Sequence, residues 1–144
     1  MVMYKLDDSL GYKLFQSSRL ITNRLNQYFR LKGYPITHEQ WQVLSRLYDK
    51  DGQTQQSLAV LNERDEPSMS RLVANMERSG LIERHPHPTD KRINLVFLSG
   101  ESKRLKDEYT AVAEQTIQDA SAGIDPDVFA ECLQTLDKIR RNLS

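Results

Sequence analysis

Apolar residues recur at helical spacing along most of the chain. Leu10, Leu14, Ile21, Leu25 and Tyr28 form one stripe, which Tyr12, Phe15 and Phe29 widen. Arg19, Asn23, Arg24, Gln27 and Arg30 take the opposite side. The pattern predicts a helix over 8–31, about 36 Å long, stopped by Gly33 and Pro35. Thr37 and Gln40 have the spacing of a capping box and open a helix with Trp41, Leu44, Leu47 and Tyr48 on one face. After a turn at Asp49-Lys50-Asp51-Gly52, Thr54 caps a short helix carrying Leu58, Ala59 and Leu61. A polar break over 62–66 precedes a helix starting at Pro67, whose missing N–H costs nothing at the first helical position. Met69, Leu72, Val73 and Met76 make its buried stripe, Ser68, Arg71, Asn75 and Arg78 lie on another face, and Gly80 ends it.

The period then drops from 3.6 to 2. Leu81-Ile82-Glu83-Arg84 reads as a strand that His85-Pro86-His87-Pro88 cannot continue, because each proline removes a ladder donor. Ile93, Leu95 and Phe97 alternate with Asn94 and Val96, which predicts a returning strand with one buried face. Ser99 caps a second long helix to about Ser121, apolar at Leu105, Tyr109, Val112, Thr116, Ile117 and Ala120. Gly123 stops it, and Asp125-Pro126 open a last helix with Val128, Phe129, Leu133, Leu136, Ile139 and Leu143. The expected fold is mainly α with a small β-hairpin wing: a winged helix-turn-helix core flanked by long N- and C-terminal dimerisation helices. A single domain over 1–144 is expected, with a reader over about 37–98 and dimerisation helices over about 8–31 and 100–143.

Composition changes this picture in three places. The 144 residues carry no net charge, but the acidic excess sits at the C-terminus, where residues 105–144 hold 4 Lys/Arg against 8 Asp/Glu. The last helices should therefore point away from phosphates. Cys132 alone forbids an internal disulfide, and no signal peptide or run of ~18 apolar residues occurs, so a cytoplasmic protein with no membrane segment is expected. The terminal helices carry more apolar stripe than one small reader can cover. A homodimer with interleaved helices is the economical solution, and its two readers would face successive major grooves of double-stranded DNA roughly 34 Å apart.

The candidate contacts are polar side chains on the second reader helix and cations on the wing. Ser68, Ser70, Arg71 and Asn75 either meet bases and phosphates or form an ordinary solvated face; Arg78 does so or pairs with Glu77 or Glu83. Lys91 and Arg92 lie at a stiff, proline-rich tip, and Arg84 either meets a phosphate or closes a salt bridge within the wing. His85, His87 and Asp90 lack a fourth ligand and zinc spacing, so no metal is expected. Cys132, between Glu131 and Leu133, reads as a small core residue rather than an oxidant sensor. Tyr12, Phe15, His38, Trp41 and Tyr48 either line an effector pocket or are plain core. No Ser/His/Asp grouping, phosphate-cradling glycine loop or paired acid in a cleft occurs, so neither catalysis nor a cofactor is expected.

Thr54-Gln55, Leu58-Ala59, Leu61, Asp65, Ser70-Arg71-Leu72-Val73, the run Glu77-Arg78-Ser79-Gly80-Leu81-Ile82-Glu83-Arg84 and Thr89-Asp90-Lys91-Arg92 together resemble the MarR transcriptional regulators. The resemblance extends to Leu95, Leu98-Ser99 and the helix order across nearly the whole chain. It implies an obligate homodimer on a pseudo-palindromic operator, usually a repressor, with the helix matching 67–79 in the major groove. It implies also that Arg92 reaches into the minor groove, oriented by Asp90, and that a small aromatic or anionic effector binds between reader and dimerisation helices to weaken DNA binding. The chain departs from the family at the turn. Glu63 and Arg64 stand where relatives commonly carry glycine and an apolar residue. Glu63, Asp65 and Glu66 favour the helix dipole but would repel phosphate if turned outward. That acidic turn favours the alternative reading, a winged-helix protein-interaction module without direct DNA binding.

Overall fold

The structure, a computed structural model, describes residues 3–144. A 3-10 turn at Leu6–Asp8 leads into α1 (Leu10–Leu31), followed by α2 (His38–Asp49), β1 (Gln53–Thr54), α3 (Gln55–Leu61), α4 (Glu66–Arg78), β2 (Ile82–Pro86), β3 (Asn94–Leu98), α5 (Gly100–Arg104), α6 (Lys106–Ser121) and α7 (Pro126–Leu143). α1 begins two residues later than the apolar stripe predicts, because Ser9 takes the N-cap and accepts the Tyr12 N–H. The capping box on α2 is complete: Thr37 Oγ1 accepts from Gln40 N–H, and Gln40 Oε1 accepts from Thr37 N–H. α4 starts at Glu66 with Asp65 as its cap, so Pro67 occupies the second helical position.

The core is packed from α1 to the wing. Phe29, Leu44, Leu58, Met69, Val73, Met76 and Val96 are fully buried, and Leu47 and Ile82 nearly so. Tyr109 of α6 closes one side with edge-on contacts to Phe29 and Tyr34, at ring separations of 6.2 and 5.0 Å. α1 is divided along its length. Its C-terminal part, with Phe29 and the partly buried Leu25 and Tyr28, belongs to the core. Leu10, Phe15 and Leu20 stand more than half exposed. α7 has no buried residue at all, although it carries Val128, Leu133 and Leu143. Cys132 shares that exposure, so the expectation of a core cysteine fails: it lies on a helix with no buried residue. No helix among the described residues is long and apolar enough to cross a membrane.

From β1 to α6, four further features differ from the sequence expectation. The sheet has three strands in the order β1-β3-β2, not a bare hairpin. β1 is two residues long and is held by Gln53, whose buried amide donates to Arg46 and Lys50 carbonyls and accepts from Ser57 Oγ. β2 runs on through His85 and Pro86, because it is an edge strand and needs no outward donor there. In β3 the buried positions are Val96 and Leu98, while Leu95 and Phe97 are only half-buried and Ile93 is exposed. Register sets this parity: Leu98 lies opposite Ile82 and Val96 opposite Arg84, on the face toward the helices. Phe97 instead covers Gly52 and packs against His85, with ring centroids 5.4 Å apart. Finally, the helix expected from Gly100 to Ser121 breaks at Leu105. Ser102, buried in α5, donates to the Leu81 carbonyl and anchors that turn to the reader, whereas α6 runs along α1, to which Asp119 is joined by Arg24 and Tyr28.

Candidate nucleic-acid interface

The surface of α4 follows from its stripe. With Met69, Leu72, Val73 and Met76 buried, Ser70, Arg71 and Asn75 are left exposed on a helix about 20 Å long. Arg71 and Ser70 project freely. Asn75 accepts from the Arg78 guanidinium, so Arg78 pairs with neither Glu77 nor Glu83. Ser68 is half-buried and faces the turn, where its hydroxyl accepts from Arg64 Nη2 at 2.7 Å and Nε at 3.2 Å. Arg64 also donates to Glu39 Oε2 of α2 at 2.8 Å.

The acidic turn is mostly consumed by internal contacts. Asp65 Oδ1 caps α4, accepting from Ser68 N–H at 2.7 Å. Glu63 takes the left-handed conformation with φ 52°, which costs a residue with a Cβ roughly 1 kcal/mol. Its carboxylate accepts from the Arg140 guanidinium near the end of α7. Arg46 of α2 supports the same turn from beneath, donating to Asn62 Oδ1 at 3.1 Å and to the Leu61 carbonyl at 2.9 Å. Glu66 remains exposed in the first turn of α4, where the helix dipole favours it. Neither Arg46 nor Arg140 was singled out in the sequence, because their partners at the turn lie 15 to 77 residues away.

At the wing tip the chain builds a rigid cationic point. Arg92 donates from its backbone N–H and Nε to Asp90 Oδ1, both at 3.1 Å, and from Nη2 to Oδ2 at 3.2 Å. The guanidinium beside Asp90 holds that carboxyl below its ordinary range. The Arg92 side chain is nevertheless 90% exposed, so the carboxylate fixes its direction without covering it. His87 Nδ1 accepts from the Thr89 and Asp90 N–H groups and closes the turn behind them. Lys91 beside it is exposed. Arg84 lies elsewhere than a surface strand suggests. It faces inward, with its guanidinium and backbone N–H on Glu77 of α4 and Nη1 on Gln55 of α3.

The aromatic residues considered for a pocket separate into two groups. Tyr12 and Phe15 stack on each other, ring centroids 6.3 Å apart, on the projecting part of α1. Trp41 and Tyr48 lie 6.2 Å apart beside the core, where Tyr48 donates to the Ser102 carbonyl and burial raises its phenol well above the ordinary range. His38 sits at the start of α2, its backbone N–H on Asn26 Oδ1. Trp41 lines a cleft of about 400 Å³ with Arg46, Asn62 and Arg140. A second cavity, of about 710 Å³, opens between α1 and α6 and is lined by Tyr28, Lys32, Tyr34, Val112 and Gln115. No group of three or more His, Cys, Asp or Glu side chains able to hold a metal occurs among the described residues.

A helix pair whose second member shows a polar face, followed by a three-stranded wing ending in an oriented arginine, defines the winged helix-turn-helix class. Residues 36–93, from the end of the loop before α2 to the residue before β3, match the MarR family. A helix-turn-helix-type transcriptional regulator of Mycobacterium leprae is 32% identical over 77 residues, and that match spans about half the length of each protein, 54% of both. A probable transcriptional regulator from Pseudomonas aeruginosa has the same fold at TM-score 0.84 and 27% identity, over 94% of this chain and 99% of that one. MepR of S. aureus, solved as a DNA complex, superposes at TM-score 0.84 with 25% identity, over 94% of this chain and 98% of its own. Over the reader the chain thus matches the MarR family of transcriptional regulators, and nearly its whole length has the winged helix-turn-helix fold of the P. aeruginosa and S. aureus proteins.

Proposed function

We propose that the protein is a homodimeric, cytoplasmic repressor that binds a pseudo-palindromic operator in double-stranded DNA and is released by a small aromatic or anionic effector. The reading treats the whole chain as one unit of reader and dimerisation helices. The observation that carries it is the pairing of an open polar face on α4 with an exposed Arg92 locked in direction by Asp90. A polar helix of this size fits a major groove, and a guanidinium held at the tip of a projecting loop suits the narrow, negative minor groove beside it. Ser70 and Arg71 would contact bases or phosphates, with Ser68 and Asn75 at the edges of the patch and Lys91 on the backbone.

The exposed apolar faces of α1 and α7 support the dimer, because each would leave large side chains in water without a second copy. The cavity between α1 and α6 supports an effector: Tyr28 and Tyr34 offer flat walls and Lys32 a cation. Binding there would favour dimers whose recognition helices no longer match successive grooves.

Duplexes selected by the purified protein from a random-sequence pool test this directly. The recovered sites should be symmetric, and log K should fall steeply with log salt, by about 0.9 per phosphate contact. Arg92→Ala should weaken binding several-fold and make the slope shallower by about 1, with the dimer unchanged. Absence of any duplex binding would leave the protein-interaction module as the better account.

A further inference from the structure

The inward course of Arg84 places a charged contact where the two DNA-facing parts of the reader join. Arg84 lies opposite Val96 in the sheet, and therefore on the side of β2 that faces the helices. Its Nε and Nη2 donate to Glu77 Oε1 at 3.2 and 3.0 Å, and its backbone N–H donates to Glu77 Oε2 at 3.0 Å. Its Nη1 reaches Gln55 Oε1 of α3 at 3.4 Å. One carboxylate from the last turn of α4 thus grips both the backbone and the side chain of the wing strand. A fork of this kind fixes an angle as well as a distance.

Between α4 and β2 the chain turns at Gly80, which takes φ 76°, so the backbone there does little to set the wing's direction by itself. Leu81 and Ile82 bury that junction, but apolar contacts are not directional. Among the described residues, the side-chain hydrogen bonds between α4 and the wing are those of Glu77. A carboxylate close to a DNA-binding face is also costly by simple charge: it repels phosphate. Its presence there calls for a role that outweighs that repulsion.

We propose that Glu77 is a positioning residue for DNA binding, holding Arg84 so that the recognition helix and the arginine-tipped wing engage adjacent grooves together. The inference rests on the DNA-binding reading above. It makes a prediction of opposite sign to plain electrostatics. Removing a negative charge near phosphate should tighten binding. Releasing a brace should loosen it, because wing and helix then have to be aligned at the moment of binding.

The test uses the full-length protein and a duplex recovered by wild-type selection. Glu77→Gln, Arg84→Lys and the double variant are titrated with that duplex across a salt series, with thermal unfolding and oligomeric state followed in parallel. Glu77→Gln should bind about tenfold more weakly, with a salt slope shallower by about one contact. Arg84→Lys keeps the charge and loses the fork, and should lose as much. The double variant should be no worse than either single change, since both break one contact. Equal or tighter binding by Glu77→Gln would overturn the brace, as would losses that add in the double variant. A wild-type protein that selects no duplex would instead overturn the DNA-binding reading itself, and is recognised before any variant is made.

Discussion

Asp90 and Glu77 do similar work at two points of the wing. Each carboxylate is held below its ordinary range first by a side-chain bond from an arginine and then by that arginine's backbone N–H, Arg92 for Asp90 and Arg84 for Glu77. The sign of the consequence follows. A carboxyl group depressed in the folded state favours folding above the unfolded value, near pH 4, and that contribution fades as pH falls through the folded value. Both contacts should therefore be intact from neutral pH down to about 5. Urea unfolding between pH 6 and 3 checks this: the midpoint should fall at the acid end, and Asp90→Asn should fall less steeply than wild type. Identical acid profiles would mean that the Asp90 contact adds nothing in solution. Because these groups are solvent-exposed, the effect on global stability is small, and the wing's geometry is where it registers.

At the scale of elements, the join between α2 and β1 is the least forgiving. Gly52 takes φ 71°, and a Cβ there would come within 2.7 Å of Phe97 Cε1. Gly33 takes a similar φ of 79° with nothing within 4 Å of its absent Cβ. Gly33→Ala should cost about 1 kcal/mol from backbone strain alone, and Gly52→Ala should cost clearly more, because Phe97 must shift as well. Equal urea midpoints for the two variants would show that Phe97 yields freely. The same elements show what could be read before the structure. Helical periodicity placed α2, α3 and α4, and Thr37, Thr54, Asp125 and Ser99 announced their caps, because those signals are local. The parity of β3 was missed because Ile93, Leu95 and Phe97 look as apolar as Val96 and Leu98; only pairing with Ile82 decides which set turns inward. β1 was missed because two residues carry no period. The pairing of Arg92 with Asp90, two residues away, came from the family resemblance. The inward turn of Arg84 toward Glu77 and Gln55 depends on register and was not recognisable in the chain.

On the scale of the whole molecule, the apolar surface that remains is concentrated at the chain's two ends. Leu10, Phe15 and Leu20 on α1 and Val128, Leu133 and Leu143 on α7 are each at least half exposed, an arrangement that a solitary chain would pay for in solubility. Leu133→Lys should shift sedimentation at micromolar concentration from dimer to monomer. Duplex affinity should drop by about a hundredfold or more, because two linked readers gain that much over one. A variant that stays dimeric would move the interface away from α7.

The tie between Arg140 and Glu63 has a mechanical meaning. It sits at the root of α4, so the last helix touches the turn from which α4 starts, and α4 is the lever arm. With a lever about 20 Å long, a swing of about ten degrees displaces its far end by about 3.5 Å, close to the rise of one base step. A rotation too slight to disturb the packed core would thus be enough to put the two readers of the proposed dimer out of step with a duplex.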